Sequence, residues 1–215
     1  MKFEEYLNKV IQGDCLEIMK KLPDKCIDLV LTDPPYGVNL GKKQNAGVKK
    51  KSYDNFDDSP EVVIPMVNKV LEECFRVSNL VVMTPGVKNM FSYPKPSHVG
   101  SFYYPAASGM NAWGFSCWQP IFYYGKDPWK GKDADSYRST EQTEKNGHPC
   151  PKPINQWKWL LKRTSLEGWT VLDPFLGSGT TAVAAKQLGR NYIGIEISEK
   201  YCKIANDRLR QEILL

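Results

Sequence analysis

An open, doubly wound α/β sheet is the fold class that this sequence predicts, and three observations predict it. Two short and nearly unbroken apolar runs, Ile27–Leu31 and Trp169–Leu172, each lead within two residues to an aspartate, Asp33 and Asp173. Runs of this kind, without polar alternation, are the pattern of strands buried on both faces. Between them, apolar residues recur at helical spacing, as in Val63, Val67, Val70, Leu71 and Cys74. Finally, a strand, a glycine turn, a helix and a further strand follow one another between 169 and 196, the order of a nucleotide-binding βαβ unit.

Composition sets the outer bounds. The 215 residues, 41% hydrophobic and 25% charged, suffice for one domain with a real core and exclude disorder as the whole answer. No apolar stretch approaches the length of a membrane span, and Met1–Glu5 lacks the apolar block of a signal peptide. The chain therefore reads as soluble, unexported and cytoplasmic. Its six cysteines are scattered with no C-x-x-C pair, so neither a metal site nor a disulfide framework is suggested. A net charge of +5 favours an anionic partner.

Taken in order, Val10-Ile11 reads as a strand ahead of Gly13-Asp14, and Cys15–Leu22 as a helix that Pro23 stops. The strand Ile27–Leu31 would place Asp33 at its carboxyl end, where open α/β sheets put their ligand sites. Gly37 to Asp58 is a glycine-rich, charged loop carrying Lys42, Lys43, Lys49, Lys50 and Lys51, a solvated segment that also suits contact with phosphates. The helix over Val63–Cys74 takes Pro65 into its first turn, and Leu80–Met83 is a further strand. Phe102–Tyr104 and Gln119–Tyr124 read as an antiparallel aromatic pair joined through Gly109–Phe115, with the aromatics serving the core and sheet packing. Gly125 to Gly147 reads as an exposed excursion. Helical order returns with Pro153 in a first turn and Ile154, Trp157, Leu160 and Leu161 on one face.

Two stretches carry chemistry. Thr32-Asp33-Pro34-Pro35-Tyr36 supplies an acceptor carboxylate, two residues without backbone N–H donors and an aromatic face, a stiff mouth suited to a planar, amino-bearing base. The second is Asp173-Pro174-Phe175-Leu176-Gly177-Ser178-Gly179-Thr180-Thr181, which opens the helix Ala182–Leu188 closed by Gly189. The strand Tyr192–Ile195 then ends in Glu196, nineteen residues after Gly177. Glycines let the backbone approach a ligand, and the acid accepts from ribose hydroxyls. Alone, this turn also fits an NAD-dependent oxidoreductase, but such enzymes usually begin with the unit, whereas here it follows the Asp-Pro-Pro-Tyr stretch.

The pairing of Thr-Asp-Pro-Pro-Tyr at 32–36 with Asp-Pro-Phe-Leu-Gly-Ser-Gly-Thr-Thr at 173–181 resembles the amino-group DNA methyltransferases that use S-adenosylmethionine. The order, catalytic motif first and cofactor motif last, is similar to their beta subgroup. Trp118-Gln119-Pro120-Ile121 and His148-Pro149-Cys150-Pro151-Lys152-Pro153 agree with it. The resemblance implies a Rossmann-like class I methyltransferase sheet in circularly permuted order, with the hairpin near 102–124 as its last strands. It implies methyl transfer to a base flipped into the pocket. Asp33 and the Pro34 carbonyl would accept the two amine N–H bonds, Pro35 would stiffen the mouth and Tyr36 would stack on the base. Asp14, Lys152, Asp173, Phe175, Gly177, Gly179, Thr180 and Glu196 would attend the cofactor: Glu196 at the ribose, Asp14 at the adenine amine, Lys152 and Asp173 near the methionine end. Asp14 also stands where the N-cap of Cys15–Leu22 belongs.

Asp rather than Ser at 33 tilts the target to adenine N6 over cytosine N4. Larger members of the family carry a target-recognition region between the two motifs, for which only Pro85–Val99 and Lys126–Gly147 are left here. The chain thus reads as one catalytic domain, 1–215, with 126–147 as a minimal recognition segment. Its partner would be DNA, with the lysines at 42–51 as a candidate contact, and so little reading surface fits a short or degenerate site, a homodimer that shares the reading or a separate specificity partner. A catalytically silent DNA-binding module is the remaining alternative.

Overall fold

The computed structural model describes residues 2–39, 56–106, 109–129, 134–141 and 150–211. The lysine cluster at 42–51, together with His148 and Pro149, lies outside them. In chain order the elements are β1 (Lys9–Gln12), α1 (Cys15–Met19), β2 (Leu29–Thr32), α2 (Pro60–Val77), β3 (Val81–Met83), β4 (His98–Tyr103), β5 (Gly109–Asn111), β6 (Gly114–Ser116), β7 (Trp118–Tyr124), β8 (Ser136–Arg138), α3 (Ile154–Thr164), β9 (Thr170–Asp173), α4 (Thr180–Gln187), β10 (Asn191–Glu196) and α5 (Glu199–Gln211).

Eight strands form one sheet in the order β1-β10-β9-β2-β3-β7-β4-β8, and β5 and β6 form a separate hairpin. Pairing is parallel except along β7, which runs against both β3 and β4. The central strands are apolar on both faces because both are covered. Val30, Val81 and Ile193 join a layer with α1 and α2, while Leu29, Leu31, Val82 and Val171 join one with α3, α4 and α5. From β9 the chain passes through α4 to β10 on one side, and from β2 through α2 to β3 on the other. The seam between β9 and β2 is therefore the switch point at which a doubly wound sheet leaves a crevice beyond its carboxyl ends.

Several elements differ from the sequence expectation. Helix α2 begins at Pro60, so Pro65 lies inside it instead of in its first turn. The carbonyl that loses its partner there belongs to Glu61, on the exposed face. Helix α1 stops at Met19, three residues short of Leu22, and the Arg76 guanidinium collects the freed carbonyls of Met19 and Leu22 at 2.7 and 2.9 Å. Pro153 is the N-cap of α3, one position before the first turn. The aromatic pair of strands is not the end of the sheet, because Ser136–Arg138, inside the expected excursion, adds β8 alongside β4. Helix α5 was not foreseen; it buries Tyr201, Cys202, Ala205 and Leu209 on one face. Among the described residues no helix is long and apolar enough to cross a membrane.

Candidate active site

The mouth forms where β2 ends. Asp33 is held from three directions: Tyr36 donates its hydroxyl to Oδ1 at 2.5 Å, the Thr84 hydroxyl donates to the same oxygen, and Lys152 pairs with Oδ2 at 2.8 Å. Thr84 follows β3, the neighbouring strand, and its N–H donates to the Thr32 carbonyl at 3.1 Å. The Tyr36 hydroxyl is fully used, since besides donating to Asp33 it accepts from Lys152 Nζ at 2.7 Å and from the Gln119 side-chain amide of β7. Burial first, and the Asp33 charge next, push the Tyr36 phenol far above its usual range, so it stays a neutral donor.

The backbone leaving the mouth is clamped as firmly. Asn89 donates to the carbonyls of Tyr36 and Gly37 at 2.7 and 3.0 Å, and the buried Asp58 accepts from the N–H groups of Gly37 and Val38 at 2.9 and 3.3 Å. Gly86, at φ +69°, backs the Tyr36 ring; a Cβ there would lie 2.9 Å from Tyr36 Cγ. The Lys152 ammonium sits over that ring, 4.9 Å from its centroid.

On the other side of the seam, Asp173 is 3% exposed and spends its carboxylate internally. It accepts from the hydroxyls of Thr32 and Thr181 at 2.8 and 2.5 Å and from the Phe175 N–H at 3.0 Å. Burial raises its pKa to about 6, against the pull of those donors. The Thr32 contact ties β2 to β9 across the switch point. Beyond it the turn is shaped by Gly177 and Gly179, at φ +56° and +88°. The Gly177 and Ser198 N–H groups each donate to Glu196 at 2.8 Å, and burial raises the Glu196 pKa.

Asp33, Lys152, Asp14, Phe175, Gly177 and Glu196 open onto one cavity of about 210 Å³. The exposed Ile197, an apolar side chain directly after the acid, also lines it. Of the residues that the sequence singles out, the structure thus gathers both stretches at one crevice, with adjustments. Lys152, expected near the cofactor's methionine end, is bound to Asp33 and Tyr36. Asp14 caps α1, its Oδ1 accepting from the N–H groups of Leu16 and Glu17 at 2.8 and 3.2 Å. Thr180 meets Arg208 of α5 at 3.2 Å. Gly179 answers to packing, because a Cβ there would come within 2.8 Å of Ala205 Cβ.

Known proteins are similar to this chain in sequence and in fold. Residues 111–207 match the DNA methylase (N6/N4) family. The type II methyltransferase M.HinfI of Haemophilus influenzae is 27% identical, over 96% of this chain and 69% of its own length. The putative methylase YubD of Escherichia coli is 28% identical over 94% of this chain and 90% of its own length. The chain is thus similar to the amino-group (N6/N4) DNA methyltransferases. Its fold superposes on the crystal structure of an M1.HpyAVI–SAM complex with a TM-score of 0.65 at 20% identity, covering 94% of this chain and 98% of that one.

The mouth also draws on residues that sequence reasoning left without a role: Thr84, Gly86, Asn89, Asp58 and Gln119. A signal for Thr84 was present, a hydroxyl one residue past the apolar run Leu80–Met83. Asn89 and Asp58 stand in loops with no pattern around them. Gln119 lies in a strand read for its aromatic packing, within a segment that agrees with the family resemblance but was given no role.

Proposed function

We propose that this chain transfers a methyl group from S-adenosylmethionine to the N6 amine of an adenine flipped out of DNA. One observation carries the reading: the Asp33 carboxylate and the glycine turn with Glu196 open onto the same cavity from neighbouring strands. The chain's residues suit the cofactor. Each oxygen of Glu196 takes one backbone N–H, and a carboxylate can accept about four hydrogen bonds, so capacity is left for a ribose diol. Phe175 and Ile197 offer apolar surface beside it for an adenine ring. When bound, the cofactor supplies a methyl group already activated by its sulfonium.

The protein's part is positioning and charge. An exocyclic amine is a weak nucleophile because its lone pair is delocalised into the ring. Asp33 accepts one amine N–H and the carbonyl of buried Pro34 the other, which turns the lone pair out of the ring plane. The incoming amine takes the place of a hydroxyl donor on Asp33 Oδ1. As the nitrogen gains positive charge, the carboxylate stabilises it. Tyr36, held neutral, keeps its O–H as a hydrogen-bond donor. Aspartate at 33 supports adenine as the target.

The test is to incubate the purified chain with S-adenosylmethionine and unmethylated DNA, then digest and identify nucleosides by mass spectrometry. N6-methyladenine is the expected product. N4-methylcytosine would reassign the base, and no methylated nucleoside would remove the activity.

A further inference from the structure

At the rim beside the mouth, the ladder between β4 and β7 does not stop at its last sheet pair, Tyr103 with Trp118. The Tyr104 N–H donates to the Cys117 carbonyl at 2.7 Å, and the chain then runs into the β5–β6 hairpin, in which Met110 faces Phe115. This projection is apolar and bare. Trp113 at its turn is 100% exposed, Met110 78% and Phe115 75%. At its base Tyr103 and Trp118 are 45% and 42% exposed. Exposed apolar surface gathered in one element marks an interaction site.

Its position and composition choose the partner. Tyr104 and Gln119, at the foot of the hairpin, belong to the mouth's own network: the Tyr104 hydroxyl lies 3.2 Å from Gln119 Oε1, and Gln119 donates to Tyr36. The hairpin therefore rises from strands whose ends help to hold the mouth. No charged side chain occurs between His98 and Lys126, so the element is not built to hold phosphates. Aromatic side chains without charge instead suit contact with base faces. A base turned out of a duplex leaves a gap in the stack, and an exposed indole is a shape that fills it.

We propose that the β5–β6 hairpin is a wedge that enters the DNA base stack next to the flipped nucleotide, with Trp113 leading and Phe115 behind it. The proposal rests on DNA being the substrate, as inferred above.

The test uses the full chain with S-adenosylmethionine and duplex DNA carrying 5-iododeoxyuridine in place of thymidine. Irradiation is expected to attach the DNA at Trp113 or Phe115, read by mass spectrometry of the peptides. In parallel, Trp113→Ala is expected to weaken duplex binding by about tenfold while Trp113→Phe recovers most of it, as stacking requires. Attachment confined to other segments, or equal duplex affinity in Trp113→Ala and the parent, would overturn the wedge. So would sedimentation showing a dimer that Trp113→Ala splits, because a second copy would then cover the hairpin. Methyl incorporation into DNA is scored separately. Attachment at Trp113 without any methylated product would retain the wedge and remove the proposed activity.

Discussion

The two sides of the crevice are built differently. The mouth is made by side chains: Asp33 and Tyr36 are fixed by Thr84, Gln119 and Lys152, and the chain beyond them by Asp58 and Asn89. The glycine turn is made mainly by backbone, with Phe175, Gly177 and Ser198 N–H groups meeting Asp173 and Glu196 within one short stretch. Side chains converging from several elements hold one carboxylate and one phenol from several directions at once, which is what positioning a weak nucleophile demands. Backbone donors hold a broader surface, sufficient to seat a ligand that arrives already reactive.

That contrast can be broken at either side, and the largest effect is expected at Asp33. Asp33→Ala should lower kcat by at least about a hundredfold, with cofactor affinity by calorimetry close to the parent's. Glu196→Ala should do the reverse, weakening cofactor binding by about ten- to a hundredfold through the loss of charge-assisted hydrogen bonds. Matching losses in both quantities for both variants would dissolve the distinction. Lys152→Met sharpens it, since the lysine bonds to Asp33 and Tyr36. About a tenfold fall in kcat with a smaller change in cofactor affinity would place it with the mouth, and a fall in cofactor affinity alone would return it to the methionine end. The smallest effect is structural. Gly179→Ala should cost about 1–3 kcal/mol in chemical denaturation, and adding Ala205→Gly should recover part of it by removing the clash while leaving the φ strain. No recovery would mean that ligand approach, and not the α5 contact, sets this glycine.

The same contrast explains what could be read from the chain. The turn is local, so its glycines, its acid at a fixed spacing and its flanking strands are written in one stretch, and the structure places them as a unit. Asp33 and Tyr36 were legible through their own motif. Their supports were not, because Asn89, Asp58 and Gln119 come from loops and strands whose sequence shows no period pointing at the mouth. Strand β8 was hidden for a related reason, its three residues Ser136–Arg138 being polar enough for an edge. The aromatic stretch was read as core throughout. That holds for Phe102, Phe122 and Tyr124, but Trp113 and Phe115 stand in solvent, and composition alone does not tell the two uses apart.

The hydrogen bond from Thr32 to Asp173 joins residues 141 positions apart. It also has a temporal meaning. Parallel neighbours so distant along the chain meet late in folding, since a long loop must close before their pairing repays it. A ribosome that has released β2 and β3 has produced the mouth's aspartate with one side of its strand still open, and the crevice is missing until β9 and β10 dock. A chain released only as far as β8 therefore lacks one half of the site, and competence waits on β9 and β10.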